Sequence, residues 1–284
     1  MRLLSIVIAN YNYGRFLEEA IQSVLAQSCQ DFELIICDGG STDDSVEIIK
    51  RHAKRVAWWC SEKDGGQSDA FNKGFAHATG RFLTWLNADD IMLPSVVEKL
   101  KLASGAHPDC EWFVGGSLWT DPELRVLTCH PAARFSEFRY RRGLVNVWGP
   151  SSFFTKRLLN AVGGVDVRFH YEMDIDLWLK FACKENARYL PFVRYAYALR
   201  MHPDAKMSGH NFSGSVLADK NHPKWRQMAK EDAWMREYFP TGKMGRVGRL
   251  ISMNVPAALR RLVDEWRFKG RECAEFFKDG GDLT

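Results

Sequence analysis

The chain has 284 residues, of which 46% are hydrophobic and 26% charged, with a formal net charge of +4. That is enough to bury one large core, or one domain with an appendage. The charge lacks the dense Lys/Arg clustering of a nucleic-acid binder. Seven cysteines (Cys29, Cys37, Cys60, Cys110, Cys129, Cys183 and Cys273) stand singly, with no CxxC pair, which argues for a reducing compartment and against a zinc knuckle or a disulfide framework.

The opening MRLLSIVIAN carries one positive charge and a short apolar run that ends in Asn10, Tyr11 and Asn12 without a small-residue cleavage site. It is read as a first buried strand rather than a signal peptide, and no later stretch reaches the roughly 18 apolar residues of a membrane span. RFLEEAIQSVLAQS follows with Phe16, Leu17, Ala20, Ile21, Val24 and Leu25 on one helical face. ELIICD is again strand-like, and a helix is expected from about Ser45, with Asp43 and Asp44 at its positive end. RVAWWCS, a helix from Ser68 to about Ala78, RFLTWLN and a helix opening at Pro94 repeat the unit. Apolar strands separated by amphipathic helices predict a mostly parallel sheet covered on both faces.

Such sheets bind ligands at the carboxyl ends of their strands. The residues expected on that rim are Asn10 to Asn12, Asp38 to Ser41, Glu62 to Asp69, and Asn87 to Asp90. The first strand runs into NYNYGRF rather than GxGxxG, and no GxxxxGK[ST] occurs, which disfavours Rossmann oxidoreductases and P-loop enzymes. The adjacent carboxylates of Asp89 and Asp90 have two readings: ligands of a divalent cation that also takes substrate phosphate oxygens, or a turn that caps the helix near Pro94.

Four stretches, SIVIANYNYGRFLEEAIQSVLAQS, LIICDGGSTDDS, EKDGGQSDAFNKGF and ATGRFLTWLNADD, resemble, in order and spacing, the signatures of the inverting family 2 glycosyltransferases of GT-A fold. The resemblance covers about the first two-thirds of the chain. It implies an α/β fold with a Rossmann-like sheet, a nucleotide-sugar donor, usually UDP-linked, and Mn²⁺ or Mg²⁺ as cofactor. Donor contacts are implied at Ala9, Tyr11, Asp38, Asp64, Gln67, Asp69, Asn87 and Ala88, with Tyr11 against the base and Asp38 accepting from uracil or ribose. Tyr11 could equally be packing at a strand end, and Asn72 could brace its helix. Asn87-Ala88-Asp89 stands where the family carries DxD, with Asn in place of the first Asp, so Asp89 becomes the primary metal ligand, with Asp90 beside it.

The family's general base is the Asp of a Glu-Asp pair opening a helix after a Gly-Gly turn. Here the stretch is VGGVDVRFHYEMDIDLWLKFACKE, with Gly163-Gly164 as the turn, Met173 in place of the Glu, and Asp174 as the matching base. Ile175, Trp178, Leu179 and Phe181 form the expected buried side. Glu172 is the rival, and Asp176, about 200° around the helix, should point elsewhere; the alternative is that these acids merely satisfy the helix dipole. After the strand in ARYLPFVRYAYALRMH, His202 is the family-implied third metal ligand, with His210 nearby. PDAKMSGHNFSGS then has the composition of a loop that closes over donor.

RFSEFRYRRGLVNVWGPSSFF mixes Arg139, Arg141 and Arg142 with aromatics. It reads either as an acceptor surface, with Trp148 stacking and Pro150 to Ser152 lining the cleft, or as a solvated face over core aromatics. The expected organisation is a GT-A domain over 1–218 and a helical C-terminal extension over 219–284. That extension, basic with interleaved apolar residues, suits an anionic membrane surface, a partner subunit, or the catalytic domain itself. The resemblance implies transfer to a saccharide or lipid-linked acceptor in envelope or capsular polysaccharide synthesis, in the cytoplasm or on the inner membrane face. A catalytically silent nucleotide-sugar binder is the alternative, and a nucleotidyltransferase a weaker one, since no basic Gly-rich triphosphate loop follows the first strand.

Overall fold

The N-terminal half repeats one unit, a short apolar strand followed by a helix with one apolar face. Strands β1 (Leu4–Asn10), β2 (Phe32–Asp38), β3 (Trp58–Ser61) and β4 (Phe82–Asn87) alternate with helices α1 (Gly14–Leu25), α2 (Ser45–His52) and α3 (Gln67–His77). In the computed structural model, which describes residues 1–140, 147, 149–206, 226–227, 230–231, 234 and 255–272, these strands lie in the order β3-β2-β1-β4, all parallel. Successive residues of a strand face opposite sides, and β1 feeds two cores accordingly. Ile6 and Ile8 pack with α1 and α2, while Val7 packs with Phe71 and Phe75 of α3.

The second half adds β5 (Ile91–Met92), α4 (Val96–Ala106), β6 (Trp112–Thr120), β7 (Val126–His130), α5 (Glu137–Tyr140), β8 (Ser152–Thr155), α6 (Lys156–Ala161), α7 (Met173–Cys183), β9 (Leu190–Arg200) and α8 (Val255–Phe268). The sheet continues from β4 as β8-β6-β9-β5, with β7 also on β6. Here the pairing is mixed: β8 runs antiparallel to β4 and β6, β7 to β6 and β5 to β9, while β6 and β9 are parallel. The expectation of a mostly parallel sheet therefore holds for the first four strands and is corrected for the rest.

The glycines inside β6 explain why this half is hard to read from composition, since glycine ordinarily weakens a strand. A Cβ on Gly115 would lie 2.5 Å from the Cβ of Ala196, and one on Gly116 2.1 Å from the carbonyl oxygen of Arg194. Close approach of β6 to the β9 side requires both. Helix α7 is fixed by an indole stack: Trp178 lies 5.3 Å from Trp85 of β4, at an interplanar angle of 4°, and 5.7 Å from Trp112 of β6. All three rings are buried, so the helix that carries Asp174 is packed directly on the strand that leads to Asp89.

The C-terminal segment returns to the sheet. In α8 the nearly buried Asp264 pairs with Arg194 at 2.6 Å and accepts from the hydroxyl of Tyr195. Thr128 of β7 donates to Glu265 at 2.5 Å, and the amides of Val126 and Gly270 bond the carbonyls of Arg271 and Val126, each at 2.8 Å. Residues 226, 227, 230, 231 and 234 are also helical. Among the described residues no helix is long and apolar enough to cross a membrane.

Candidate active site

The carboxyl ends of β1, β2 and β3 are tied into one knot by Asp38. This carboxylate is 1% exposed. It accepts from Asn10 Nδ2 at 2.7 Å, from the Ser41 hydroxyl at 2.5 Å and amide at 3.0 Å, and from Ser61 Oγ at 2.6 Å. A carboxylate removed from water needs such donors, and here they draw three loops together. Gly40 turns with φ +81°, a conformation glycine adopts without penalty. Asn12, at φ 56°, accepts the Thr42 amide on its side-chain oxygen at 2.8 Å and donates its own amide to Ser41 Oγ at 2.8 Å. Tyr11 stands beside this knot with 59% of its surface exposed, so it is an open aromatic face and not packing.

On the next loop, Asp64 accepts the Gly66 amide at 2.8 Å and Asp69 accepts the Gly65 amide at 2.9 Å. Both carboxylates shape the turn into α3. Gln67 extends across to β4, where its Nε2 donates to Asn87 Oδ1 at 2.8 Å. Asn87 Nδ2 donates to Asp90 Oδ2 at 2.7 Å, and Lys206 Nζ donates to Gln67 Oε1 at 2.7 Å. A donor-only ammonium at one end and an acceptor-only carboxylate at the other fix the orientation of both amides. Ala9 and Ala88, small residues at the ends of β1 and β4, complete this rim, Ala88 being buried. Asn72 is not on it: its amide grips the backbone of Val165 at 2.7 and 2.9 Å, bracing the Gly163-Gly164 turn.

Asp89 and Asp90 part company. Asp90 is 3% exposed; its Oδ1 accepts the Arg200 amide at 3.0 Å and its Oδ2 accepts Asn87. Burial, with the charge of Asp89 beside it, holds its pKa well above the ordinary carboxylate range. The Arg200 bond pins the end of β9 to this turn and so brings up His202, whose Nε2 lies 3.1 Å from Asp89 Oδ2. His202 is packed against Phe16, with ring centroids 4.7 Å apart, and Arg15 approaches its Nδ1 at 3.2 Å. Arg15 thus stands on the Nδ1 side of the ring, and Nε2 is the nitrogen that faces Asp89. Nor does the pair cap a helix: β5 intervenes, and α4 starts after Ser95, which is left-handed at φ 61°.

A carboxylate and an imidazole about 3 Å apart match the separation of neighbouring ligands on a cation with bonds near 2.1 Å. The donor types suit Mn²⁺ better than Mg²⁺, which prefers oxygen. Among the described residues no cluster of three His, Cys, Asp or Glu forms; of the expected Asp89, Asp90 and His202, Asp89 and His202 face each other, while both oxygens of Asp90 accept hydrogen bonds. Asp90 is turned into the fold by its two hydrogen bonds.

Asp174 is the second residue of α7. Its Oδ1 accepts the Ile175 amide at 2.9 Å and its Oδ2 the Gly149 amide at 3.1 Å. Burial raises its pKa, opposed by those amides and by the positive charge of Lys206. Asp176 points elsewhere, as the helical offset requires: it is 1% exposed and paired with Lys180 at 2.6 Å. Its pKa is also raised by burial. Glu172, the residue preceding α7, gives its amide to Glu231 at 2.9 Å.

Pro150, Ser151 and Ser152 do not line a cleft. They are buried, with Thr84 Oγ1 donating to Ser152 O at 2.8 Å, Trp112 Nε1 to Ser152 Oγ at 2.6 Å, and Ser151 and Ser117 sharing a bond of 2.5 Å. Tyr140 is core. Trp148, Arg141, Arg142 and His210 lie outside the described residues, as does the stretch after Lys206 expected to close over donor. The sequence reading passed over Lys206 and Glu231. A lysine in a polar loop and a glutamate in a charged helix carry no local signal; only their partners reveal them.

The comparisons with known proteins agree with this architecture. The family model described as glycosyl transferase family 2 matches residues 5–114. An uncharacterized glycosyltransferase of Mycobacterium tuberculosis is 33% identical over 183 residues, 63% of this chain and 68% of that protein. One of Nostoc sp. is 41% identical over 100 residues, 34% of this chain and 31% of its own length. The chain belongs to the family 2 glycosyltransferases. It spans only part of such relatives, from under a third to about two-thirds of the two just given.

Among solved structures, Staphylococcus aureus TarS 1-349 in complex with UDP superposes with a TM-score of 0.57 at 18% identity, covering 72% of this chain and 61% of that one. Glucosyl-3-phosphoglycerate synthase of M. tuberculosis, in complex with Mn²⁺, UDP and glucosyl-3-phosphoglycerate, gives 0.54 at 16% identity, covering 86% and 82%. At such identities the likeness establishes the GT-A fold.

Proposed function

We propose that this chain transfers a sugar, with inversion, from a UDP-sugar to a hydroxyl of a saccharide or lipid-linked acceptor. The observation that carries the reading is the pairing of Asp89 with His202, 113 residues apart, at the carboxyl end of β4. Few structural demands explain a carboxylate and an imidazole converging on the ligand rim of a GT-A sheet, and a divalent cation does. When bound there, Mn²⁺ would neutralise negative charge on the donor diphosphate and so favour its departure. Mn²⁺ in the synthase structure supports the choice of metal, and UDP in both solved relatives supports the nucleotide.

The chain's own residues divide the remaining work. Tyr11 offers its exposed face to the base, and the Asp38 knot holds the loops on which that base would rest. Gln67 and Asn87, locked in orientation between Lys206 and Asp90, present the ribose side. Asp174 accepts the proton of the acceptor hydroxyl as its oxygen bonds to the anomeric carbon; the bond from that carbon to the diphosphate oxygen breaks, and UDP leaves on the opposite face. A raised carboxylate pKa makes Asp174 the stronger base for that step. On α8, Leu262, Val263 and Trp266 are exposed beside Arg267 and Lys269, which supports a peripheral contact with an anionic membrane where lipid-linked acceptors reside.

The test is calorimetric titration of UDP, GDP and dTDP with and without Mn²⁺, followed by UDP release from a panel of UDP-sugars. Selective, Mn²⁺-dependent UDP binding with turnover of one donor is expected. Binding without turnover of any donor would identify a silent nucleotide-sugar binder instead.

A further inference from the structure

Glu231 lies 57 residues beyond Asp174 in the chain, yet its carboxylate is wholly buried against the segment that leads into α7. Its Oε1 accepts the amide of His170, and its Oε2 accepts those of Tyr171 and Glu172, all at 2.9 Å. Gln227, one turn earlier, donates to Oε1 at 2.8 Å, and Trp234 meets the ring of Phe169 edge-on at 5.8 Å. Positions 227, 231 and 234 share one helical face. Of these three amides, that of Glu172 is the first orphan donor of α7 and those of His170 and Tyr171 lie on the turn before it, so the carboxylate sits close to the positive helix end, where an anion is favoured. Helix α7 receives no side-chain cap from its own N-cap residue; Glu231 supplies the anion from a distant part of the chain.

The segment is held from the other side as well. Ser68 of α3 donates to the carbonyl of Phe169 at 2.9 Å, so residues 169–172 are clamped between the donor-side helix and Glu231. Asp174 follows immediately, and its position is set by where this segment ends.

We propose that Glu231 is a positioning residue for the transfer reaction, through which the C-terminal part of the chain sets the placement of Asp174. The inference rests on the reading of Asp174 as base. Among the described residues, the hydrogen-bond partners of this fully buried carboxylate are three backbone amides and the side chain of Gln227. A water-exposed glutamate on the same helix would satisfy the solubility of that helix equally well.

The test uses Glu231→Gln in the full chain, an isosteric change that replaces one acceptor oxygen with an amide nitrogen facing N–H donors. Hydrogen exchange at residues 170–172 is expected to rise about tenfold, with the β1–β4 peptides unchanged. UDP affinity stays at the wild-type level, and the kcat of UDP release from a UDP-sugar with Mn²⁺ falls on the order of ten- to a hundredfold at nearly constant donor KM. Because Glu231 acts through Asp174, the double variant with Asp174→Asn should be no slower than Asp174→Asn alone. Wild-type kcat, unchanged exchange at 170–172, or multiplicative losses in the double variant would overturn the inference. If Asp174→Asn keeps full turnover while Glu231→Gln is impaired, the base assignment fails instead. If Glu231→Gln loses UDP binding and β1–β4 protection together, the fold itself has failed and Gln227→Ala, which removes a single contact to Oε1, carries the test: raised exchange at 170–172 with a lowered kcat supports the inference, and an unchanged kcat overturns it.

Discussion

Asp174→Asn removes the proposed base with little change of shape. Its oxygens accept two backbone amides, from Ile175 at 2.9 Å and Gly149 at 3.1 Å. An asparagine keeps one of these and loses the other, at a cost of about 1 kcal/mol. Against that, it removes a carboxylate whose ionisation is opposed by burial. The two effects offset, so Tm should move by no more than about 3 °C. Because the folded-state pKa is raised, this carboxyl contributes stability that is fully present below the unfolded value and is lost as pH rises through the folded one. The variant should therefore compare more favourably with wild type at pH 7 than near pH 4. Catalysis is a separate matter: a lost general base costs about 10² to 10⁴ in rate, or roughly 3–5.5 kcal/mol of barrier. UDP release from the turned-over UDP-sugar reads this directly, beside a UDP titration that should be unchanged. Wild-type turnover in the variant would refute the reasoning and move the base to Glu172.

Three further expectations follow from the same geometry. Asp89→Ala should weaken UDP binding only when Mn²⁺ is present, whereas Asp90→Asn should retain the Mn²⁺ effect; calorimetry in both conditions separates them, and equal losses would restore Asp90 as a ligand. Tyr11→Ala, at an exposed position, should leave Tm unchanged while costing about 1–3 kcal/mol of UDP affinity, the worth of one base stacked on an aromatic face. Gly116→Ala places a Cβ against the carbonyls of Arg194 and His130 and should destabilise the fold by at least about 2 kcal/mol in denaturant titration; an unchanged midpoint would mean that the β6–β9 approach is not tight.

The four parallel strands and the rim they create were legible in the sequence because each strand is continuously apolar and each is followed by a helix of clear period. β1 through β4 depend on local pattern, and local pattern is what a linear chain displays. The same holds for the turn at Gly163-Gly164 and for the expected buried side of α7, where Trp178, Leu179 and Phe181 prove to be core and Ile175 is half-buried against it. The sequence also delivered Tyr11 to a strand end, but only exposure distinguishes a platform from packing.

Tertiary structure decided the rest, for a physical reason that recurs. Asp89 and Asp90 are neighbours of one type, yet the Arg200 amide and Asn87 turn Asp90 inward, while His202 faces Asp89. Gly115 and Gly116 lie inside β6, and only the approach of β9 shows why they carry no side chains. Pro150 to Ser152 look accessible by composition and are buried by β4 and β6. Lys206 and Glu231 acquire meaning only from Gln67 and the amides of residues 170–172, which lie far away in the chain. Periodicity records which face of an element is apolar; it holds no record of which distant donor will meet a given carboxylate, and that meeting is what gives each acid of this chain its distinct part.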